Sequence, residues 1–318
     1  MTILVTSTNP FSLRRVAEDI YVVLKSLDID TILASNIFQI PFGVEAAIVV
    51  CNPDFECKRI VEYLRDVRKI DNIILYLTVE GRLKIKFDLF NEYVIIANSS
   101  YTMSKLREAG YKVKDIIPHG VRYLGRYKYH KINRFGYIAG YQERKYPEFI
   151  MKHICSNKTF YRKRLHVITN RYNPYIGCFN VYAYSNYSNP ISDNIVNSLY
   201  EYVGFYLNLS GAEGFGITLI EAIAHGLIVI TPSIEPFTKI LNLNTTLWVR
   251  PTGKKYYVSF GGWEDIEIHE YDINDFEENI KYAMDMEKEE YIDWSIKNYE
   301  FAEKYYMFDV YAEFLRYL

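Results

Sequence analysis

The chain has no apolar run of membrane-spanning length, no C-x-x-C pair, no internal repeat and no low-complexity tract. Each absence removes a class. Without about 20 consecutive apolar residues no transmembrane helix is expected, and because Met1 leads directly into a strand-like run, Thr2-Ile3-Leu4-Val5-Thr6, no signal peptide is expected either. The four cysteines, Cys51, Cys57, Cys155 and Cys178, lack metal-site or redox-motif spacing and read as buried thiols in a reducing compartment. An excess of one charge is also missing. The formal net charge is −2, which supplies no general attraction to nucleic acid, so none is expected as a partner. No G-x-G-x-x-G follows the first strand, which disfavours a dinucleotide oxidoreductase. What remains is a cytoplasmic protein whose only membrane contact would be peripheral.

With 318 residues, 49% of them hydrophobic, the chain exceeds one ordinary domain and can fill two cores. Apolar runs at Thr31-Ile32-Leu33, residues 46–50, 73–77 and 94–97 alternate with helical patterns, among them residues 54–68. That alternation predicts a Rossmann-like first domain. Residues 122–134 are polar, basic and rich in tyrosine with little periodicity, as an interdomain linker would be. A second α/β domain begins near Phe135 with the strand Phe135-Gly136-Tyr137-Ile138-Ala139, and its loop Tyr141-Gln142-Glu143-Arg144-Lys145 leads into a helix starting near Pro147. Residues 252–270 show no clear pattern, and helical patterns over 273–286 and 291–318 close the chain. Trp294, Phe301, Tyr305 and Phe308 are spaced as one apolar helix face, interrupted by Asn298.

The chemistry concentrates between Tyr206 and Ser233. An apolar strand, Phe205-Tyr206-Leu207, runs into Asn208-Leu209-Ser210-Gly211-Ala212-Glu213-Gly214-Phe215-Gly216, then a short apolar helix to about His225, then Gly226 and the strand Leu227-Ile228-Val229-Ile230. Gly226 stands where a helix C-terminus calls for positive φ. Gly214 and Gly216 precede a helix N-terminus, where backbone N–H groups and the helix dipole favour an anion such as phosphate. Glu213 on the loop and Glu221 on the helix are carboxylates suited to accepting hydrogen bonds from sugar or ribose hydroxyls. Spacing alone supports an anion site flanked by acids. A strand-to-helix turn that simply needs glycine, with Glu213 a solvated surface acid, fits the same spacing.

Ser210, Glu213, Gly214, Phe215, Gly216, Glu221, Ala222 and Gly226 resemble the signature of retaining glycosyltransferases of family 4, whose two glutamates are separated by seven residues. The resemblance implies an α/β GT-B fold: two Rossmann-like domains with parallel sheets facing across a cleft, and a C-terminal helix crossing back to the first. On this chain that means residues 1–128 on the acceptor side, 129–300 on the nucleotide-sugar side, and 301–318 returning. It implies Glu213 at the transferred sugar, Gly214, Phe215 and Gly216 at sugar and phosphate, and Glu221 at the nucleotide ribose. A basic pair neutralises the donor pyrophosphate in this family. Lys145 matches its lysine, and Tyr141 stands where its arginine is expected, so either Arg144 substitutes for it or the second charge is missing. Thr78-Val79-Glu80-Gly81 resembles another cleft segment, making Glu80 the candidate for acceptor contact, and Pro118-His119-Gly120-Val121 resembles the strand that closes the first domain, with His119 read as a hydrogen-bonded hinge residue. The loop of residues 6–12 lacks the glycines usual there, so Asn9 and Ser12 read equally well as helix-capping residues.

The expectation is therefore a metal-independent, cofactor-free retaining transfer from a nucleotide-sugar to a hydroxyl of a glycan, lipid or protein. The alternatives are a catalytically silent GT-B protein that binds a nucleotide-sugar or glycan without turnover, and a GT-B epimerase. Basic residues dominate residues 122–171, densest at Arg162-Lys163-Arg164, a pattern that reads first as a solvated face and second as a peripheral membrane or acidic-partner surface.

Overall fold

The structure is a computed structural model that describes residues 1–8, 11–35, 40–140, 142–169, 177–184 and 191–318, with Phe11 described in its backbone only. The described chain divides into two compact units, one of Met1–Arg122, Val258–Ile266 and Tyr306–Leu318, the other of Tyr123–Tyr257 and Glu267–Tyr305. The expected boundary at residue 128 thus moves to 122, and the returning segment starts at 306 rather than 301.

The first unit is built on β1 (Ile3–Ser7), α1 (Phe11–Ser26), β2 (Thr31–Ala34), β3 (Ala46–Cys51), α2 (Phe55–Asp66), β4 (Asn72–Leu77), β5 (Gly81–Leu83), β6 (Val94–Ala97), α3 (Ser100–Glu108) and β7 (Val113–Ile116). Its parallel sheet has the order β2-β1-β3-β4-β6-β7. Strands β3 and β4 are nearly continuous aliphatic runs because helices cover both faces of a parallel sheet, leaving no solvent side for polar alternation. Asp54 and Ser99 cap α2 and α3, accepting from Cys57 N (2.8 Å) and Thr102 N (3.0 Å).

The second unit begins with β8 (Phe135–Ala139), α4 (Glu148–Ser156), α5 (Lys158–Arg164), β9 (Leu165–Thr169), β10 (Asn180–Tyr184), α6 (Asp193–Tyr202) and β11 (Phe205–Leu207). It continues with α7 (Ile217–Ala224), β12 (Ile228–Pro232), α8 (Phe237–Ile240) and β13 (Thr246–Val249). Its parallel sheet is ordered β10-β9-β8-β11-β12-β13.

Several expectations are corrected. Residues 252–270 are not irregular: they form β14 (Pro251–Phe260) and β15 (Glu264–Tyr271), and Glu264–Ile266 pair antiparallel with β5. The final helical pattern is two elements. After α9 (Ile273–Asp285), α10 (Lys288–Tyr305) ends where Val121 pairs with Met307 and donates to Tyr306 O (2.8 Å), and a 3₁₀ segment, Phe308–Arg316, packs on the first unit through Tyr311 and Phe314. The apolar stripe through Trp294 and Phe301 is not the buried face of α10. Tyr291, Ser295, Asn298 and Ala302 are buried instead, with Asn298 Nδ2 donating to Leu227 O (2.9 Å) and its Oδ1 accepting from Thr245 Oγ1. The residue read as an interruption anchors the helix, because a buried amide with satisfied partners is as good a core residue as an aliphatic one.

The cysteines are not free thiols. Cys51 pairs with Cys57 and Cys155 with Cys178, with Cα–Cα separations of 5.8 and 4.8 Å. The end of β3 and the first turn of α2 bring the first pair together, which a search for C-x-x-C spacing misses, and the ground for expecting a reducing compartment falls with it.

The presumed linker is also less free than its composition suggests. Gly125 N donates to Ala224 O (3.0 Å), Lys128 N to Ser295 Oγ (2.7 Å), and the Lys128 ammonium, buried, to Tyr200 O (2.9 Å) and Glu201 Oε2 (3.3 Å).

Candidate active site

In the second sheet β8 is flanked by β9 on one side and β11 on the other, so the strand order reverses between β8 and β11. In open α/β sheets the loops leaving the carboxyl ends of strands at such a reversal form a ligand crevice. Here the described parts of those loops are residues 142–147 after β8 and 208–216 after β11. They are stitched together: Gly211 N donates to Arg144 O (2.9 Å) and Arg144 Nη1 to Ala212 O (3.1 Å). Asn208 Nδ2 donates to Thr231 Oγ1 (3.0 Å), its Oδ1 accepts from Ser210 N (3.1 Å), and Ser210 Oγ donates to Ala212 O (2.7 Å), which fixes the second loop. The Tyr137 hydroxyl donates to Lys145 O (2.7 Å) and fixes the first.

This framework brings three sequence-selected residues together. Arg144 Nη1 lies 3.1 Å from Glu213 Oε2, and Lys145 Nζ pairs with Glu213 Oε1. Arg144 is 5% and Glu213 7% exposed, so Glu213 is not a solvated surface acid. Two cations share one carboxylate, which leaves the cluster with a net positive charge in surroundings of low dielectric, where it acts far more strongly than in water. Tyr141, the position compared with the family's arginine, lies outside the described residues, as do Asn9 and Pro10 of the first loop.

Gly216 caps α7 at φ 100°, and a Cβ there would sit 3.0 Å from Leu219 Cδ1, so the turn into the helix requires glycine. The α7 N-terminus brings the positive end of its dipole to the same loop. Gly226 closes the helix at φ 67°, as its sequence position predicted. Glu221, buried on α7, accepts from the Tyr200 hydroxyl at Oε2 (3.0 Å), and its backbone carbonyl accepts from His225 Nδ1 (2.9 Å). Burial pushes the His225 imidazolium below its ordinary range, with that hydrogen bond opposing, and burial likewise raises the Tyr206 hydroxyl, with the Glu221 charge adding.

Glu80 belongs to the first unit, in the turn between β4 and β5. Its N–H and that of Gly81 both donate to Glu264 Oε1 (2.6 and 2.5 Å), and Tyr101 donates to its carbonyl (3.2 Å). A Cβ on Gly81 would lie 2.1 Å from Asp265 O, so glycine is needed for the close approach of β15. His119 is a hub of the same edge: Tyr76 donates to Ile117 O (2.7 Å), His119 Nδ1 donates to Tyr76 (3.0 Å), and Asn98 Nδ2 donates to His119 Nε2 (3.1 Å) and Thr78 Oγ1 (2.7 Å). This pattern needs a neutral ring, and complete burial lowers its pKa to about 3. Among the described residues no group of three or more His, Cys, Asp or Glu is arranged to hold a metal ion, and no helix is long and apolar enough to cross a membrane.

No protein-family model matches the chain. Aligned by structure, HepE of Anabaena, solved in complex with UDP and glucose, superposes at a TM-score of 0.64 with 12% identity over 100% of both chains. The chain has the GT-B fold of glycosyltransferases. Two viral sequence relatives are named as glycosyltransferases. Uncharacterized glycosyltransferase 335 of Sulfolobus islandicus rod-shaped virus 1 is 23% identical over 98% of both chains. ORF313 of Acidianus filamentous virus 1, named as a candidate glycosyltransferase, is 37% identical over 102 residues, a match that spans 32% of this chain and 32% of the relative.

Two residues of this GT-B chain escaped sequence reasoning. Glu264 is 2% exposed, and the alternation Glu264-Asp265-Ile266-Glu267-Ile268 is the strand signal that could have located it. Tyr200 sits near the end of an amphipathic helix, and nothing in its spacing points to Glu221.

Proposed function

We propose that the protein is a retaining glycosyltransferase that moves a sugar from a nucleotide-sugar to a hydroxyl acceptor without a metal. The observation that carries this reading is the Arg144–Glu213–Lys145 cluster at the strand-order reversal, beside the α7 N-terminus. Lys145 and Arg144 neutralise the diphosphate, and the helix dipole adds to them as the leaving group gains charge. Gly214, Phe215 and Gly216 line the sugar-phosphate, Glu213 contacts the transferred sugar, and Glu221 accepts from the ribose hydroxyls. Glu80 contacts the acceptor. HepE was solved with UDP and glucose, which supports a nucleotide-sugar as donor.

Retention follows from front-face displacement. The acceptor oxygen bonds to the anomeric carbon on the face from which the phosphate departs, the anomeric C–O bond breaks toward the phosphate, and the acceptor proton passes to the departing phosphate oxygen. The test is nucleotide release from UDP-, GDP-, ADP- and CMP-sugars in EDTA, with the anomeric configuration of any product read by NMR. Release of a nucleotide with the donor's configuration in the product supports the reading. Inversion overturns retention, dependence on added divalent metal overturns metal independence, and tight binding without release favours a silent GT-B protein.

A further inference from the structure

Glu221 stands on an eight-residue helix, and a glutamate side chain has enough rotatable bonds to lose its aim unless something holds it. The Tyr200 hydroxyl does so at Oε2 (3.0 Å), the shorter of the two contacts its single proton makes, the other being to Thr218 O (3.2 Å). Tyr200 is itself held at several points. Its ring is fully buried, 5.0 Å from that of His225 and 5.9 Å from that of Tyr206, and its carbonyl accepts from the buried Lys128 ammonium (2.9 Å). The Lys128 backbone is anchored in turn to Ser295 Oγ of α10 (2.7 Å). His225, which donates to the Glu221 carbonyl, packs so closely on the 123–132 segment that a Cβ on Gly125 would lie 2.3 Å from its Cδ2. The segment that composition marked as a linker is thus part of the support beneath α7.

We propose that Tyr200 is a positioning residue for ribose recognition: by donating to Glu221 it sets the carboxylate in the orientation that receives the ribose hydroxyls of the donor. The inference rests on the donor reading of Glu221. A carboxylate offers about four acceptor positions on two oxygens, so one can be given to a fixed donor while the group still receives a diol. Fixing it during folding removes an ordering cost from binding. A tyrosine that merely fills the core would affect stability and bind all nucleotides alike. One that aims Glu221 changes the discrimination between nucleotides with and without ribose hydroxyls.

The experiment is calorimetric titration of the full chain with UDP, GDP and ADP and with their 2′,3′-dideoxy counterparts, for wild type, Tyr200→Phe, Glu221→Gln and the double variant. Phenylalanine keeps the ring in place, and a melting temperature within a few degrees of wild type verifies the fold. Wild type should prefer one ribonucleotide over its dideoxy form by about ten-fold or more, the worth of hydrogen bonds to a charged group. Glu221→Gln should collapse that ratio. Tyr200→Phe should cut it at least about three-fold while leaving dideoxy affinity unchanged, and the double variant should be no worse than Glu221→Gln alone. A wild-type ratio retained in Tyr200→Phe while Glu221→Gln loses it overturns the positioning role only. A ratio near one in the wild type, or no binding of any nucleotide, overturns the ribose reading of Glu221 and this inference with it.

Discussion

Removing the Glu213 carboxylate should destabilise the protein and at the same time sharpen its response to a diphosphate. The Arg144 and Lys145 side chains, 6% and 14% exposed, share that one anion. Truncating one partner of a buried ion pair leaves uncompensated charge at a cost of about 3–5 kcal/mol. For a unit of this size each kcal/mol shifts the melting temperature by about 2–4 °C, so Glu213→Ala should melt roughly 10 °C below wild type. Glu213→Gln keeps the shape and an acceptor and should lose about half as much. The cations that lose Glu213 are those assigned to the diphosphate, so a bound nucleoside diphosphate would replace the missing charge. Differential scanning calorimetry with and without the preferred nucleotide should therefore show a larger ligand-induced rise for Glu213→Ala than for wild type, by mass action on the native state, with turnover abolished. An unchanged melting temperature would refute the buried cluster. A ligand-induced rise no larger than that of wild type would refute the placement of the diphosphate on Arg144 and Lys145.

The other predictions rest on separate parts of the structure. Lys145→Ala should lower nucleotide release by about 100-fold or more, the order seen when a preorganised charge-stabilising group is lost, while lowering stability much less; loss through unfolding alone, seen by calorimetry, would contradict its phosphate role. His119 is neutral in the fold, with its pKa lowered from 6.5 to about 3. Between those values the unfolded chain holds a proton the folded chain lacks, so stability present above pH 6.5 is lost as pH falls toward 3, by up to about 1.4 kcal/mol per unit. Urea unfolding at neutral and acid pH should show a shallower acid loss for His119→Gln, and an equal loss would contradict its neutral burial. Thiol labelling of the denatured, unreduced protein should find no free cysteine, whereas four reactive thiols would contradict both disulfides. Reduction should cost about 3 kcal/mol for the 23-residue Cys155–Cys178 separation. Gly226→Ala should destabilise by more than about 1 kcal/mol, since a Cβ at φ 67° would meet Ser295 Oγ at 2.5 Å and Tyr127 Cα at 2.7 Å; an unchanged unfolding midpoint would contradict that packing.

Local pattern carried most of the fold and part of the site. Runs such as residues 46–50 and 73–77 read as buried parallel strands because their aliphatic continuity reports cover on both faces. Gly216 and Gly226 declared the ends of α7 because positive φ leaves a residue-level trace. The pairing of Lys145 with Glu213 spans 68 residues and depends on the order of strands, which no local pattern encodes. Asn298 and Lys128 look like surface residues by type, and only three-dimensional partners make their burial tolerable. The cysteine pairs were missed for the same reason: β3 and α2 turn back on each other, and spacing alone does not show it.

The central claim, that the second unit binds a nucleotide-sugar through Arg144, Lys145 and Glu221, is tested most directly by thermal shift of the purified protein against UDP, GDP, ADP and CMP in EDTA. The account predicts that one nucleotide raises the melting temperature of the wild type and that Lys145→Ala and Glu221→Gln each shrink that rise while remaining folded. No rise with any of the four, or an equal rise in both variants, would contradict it.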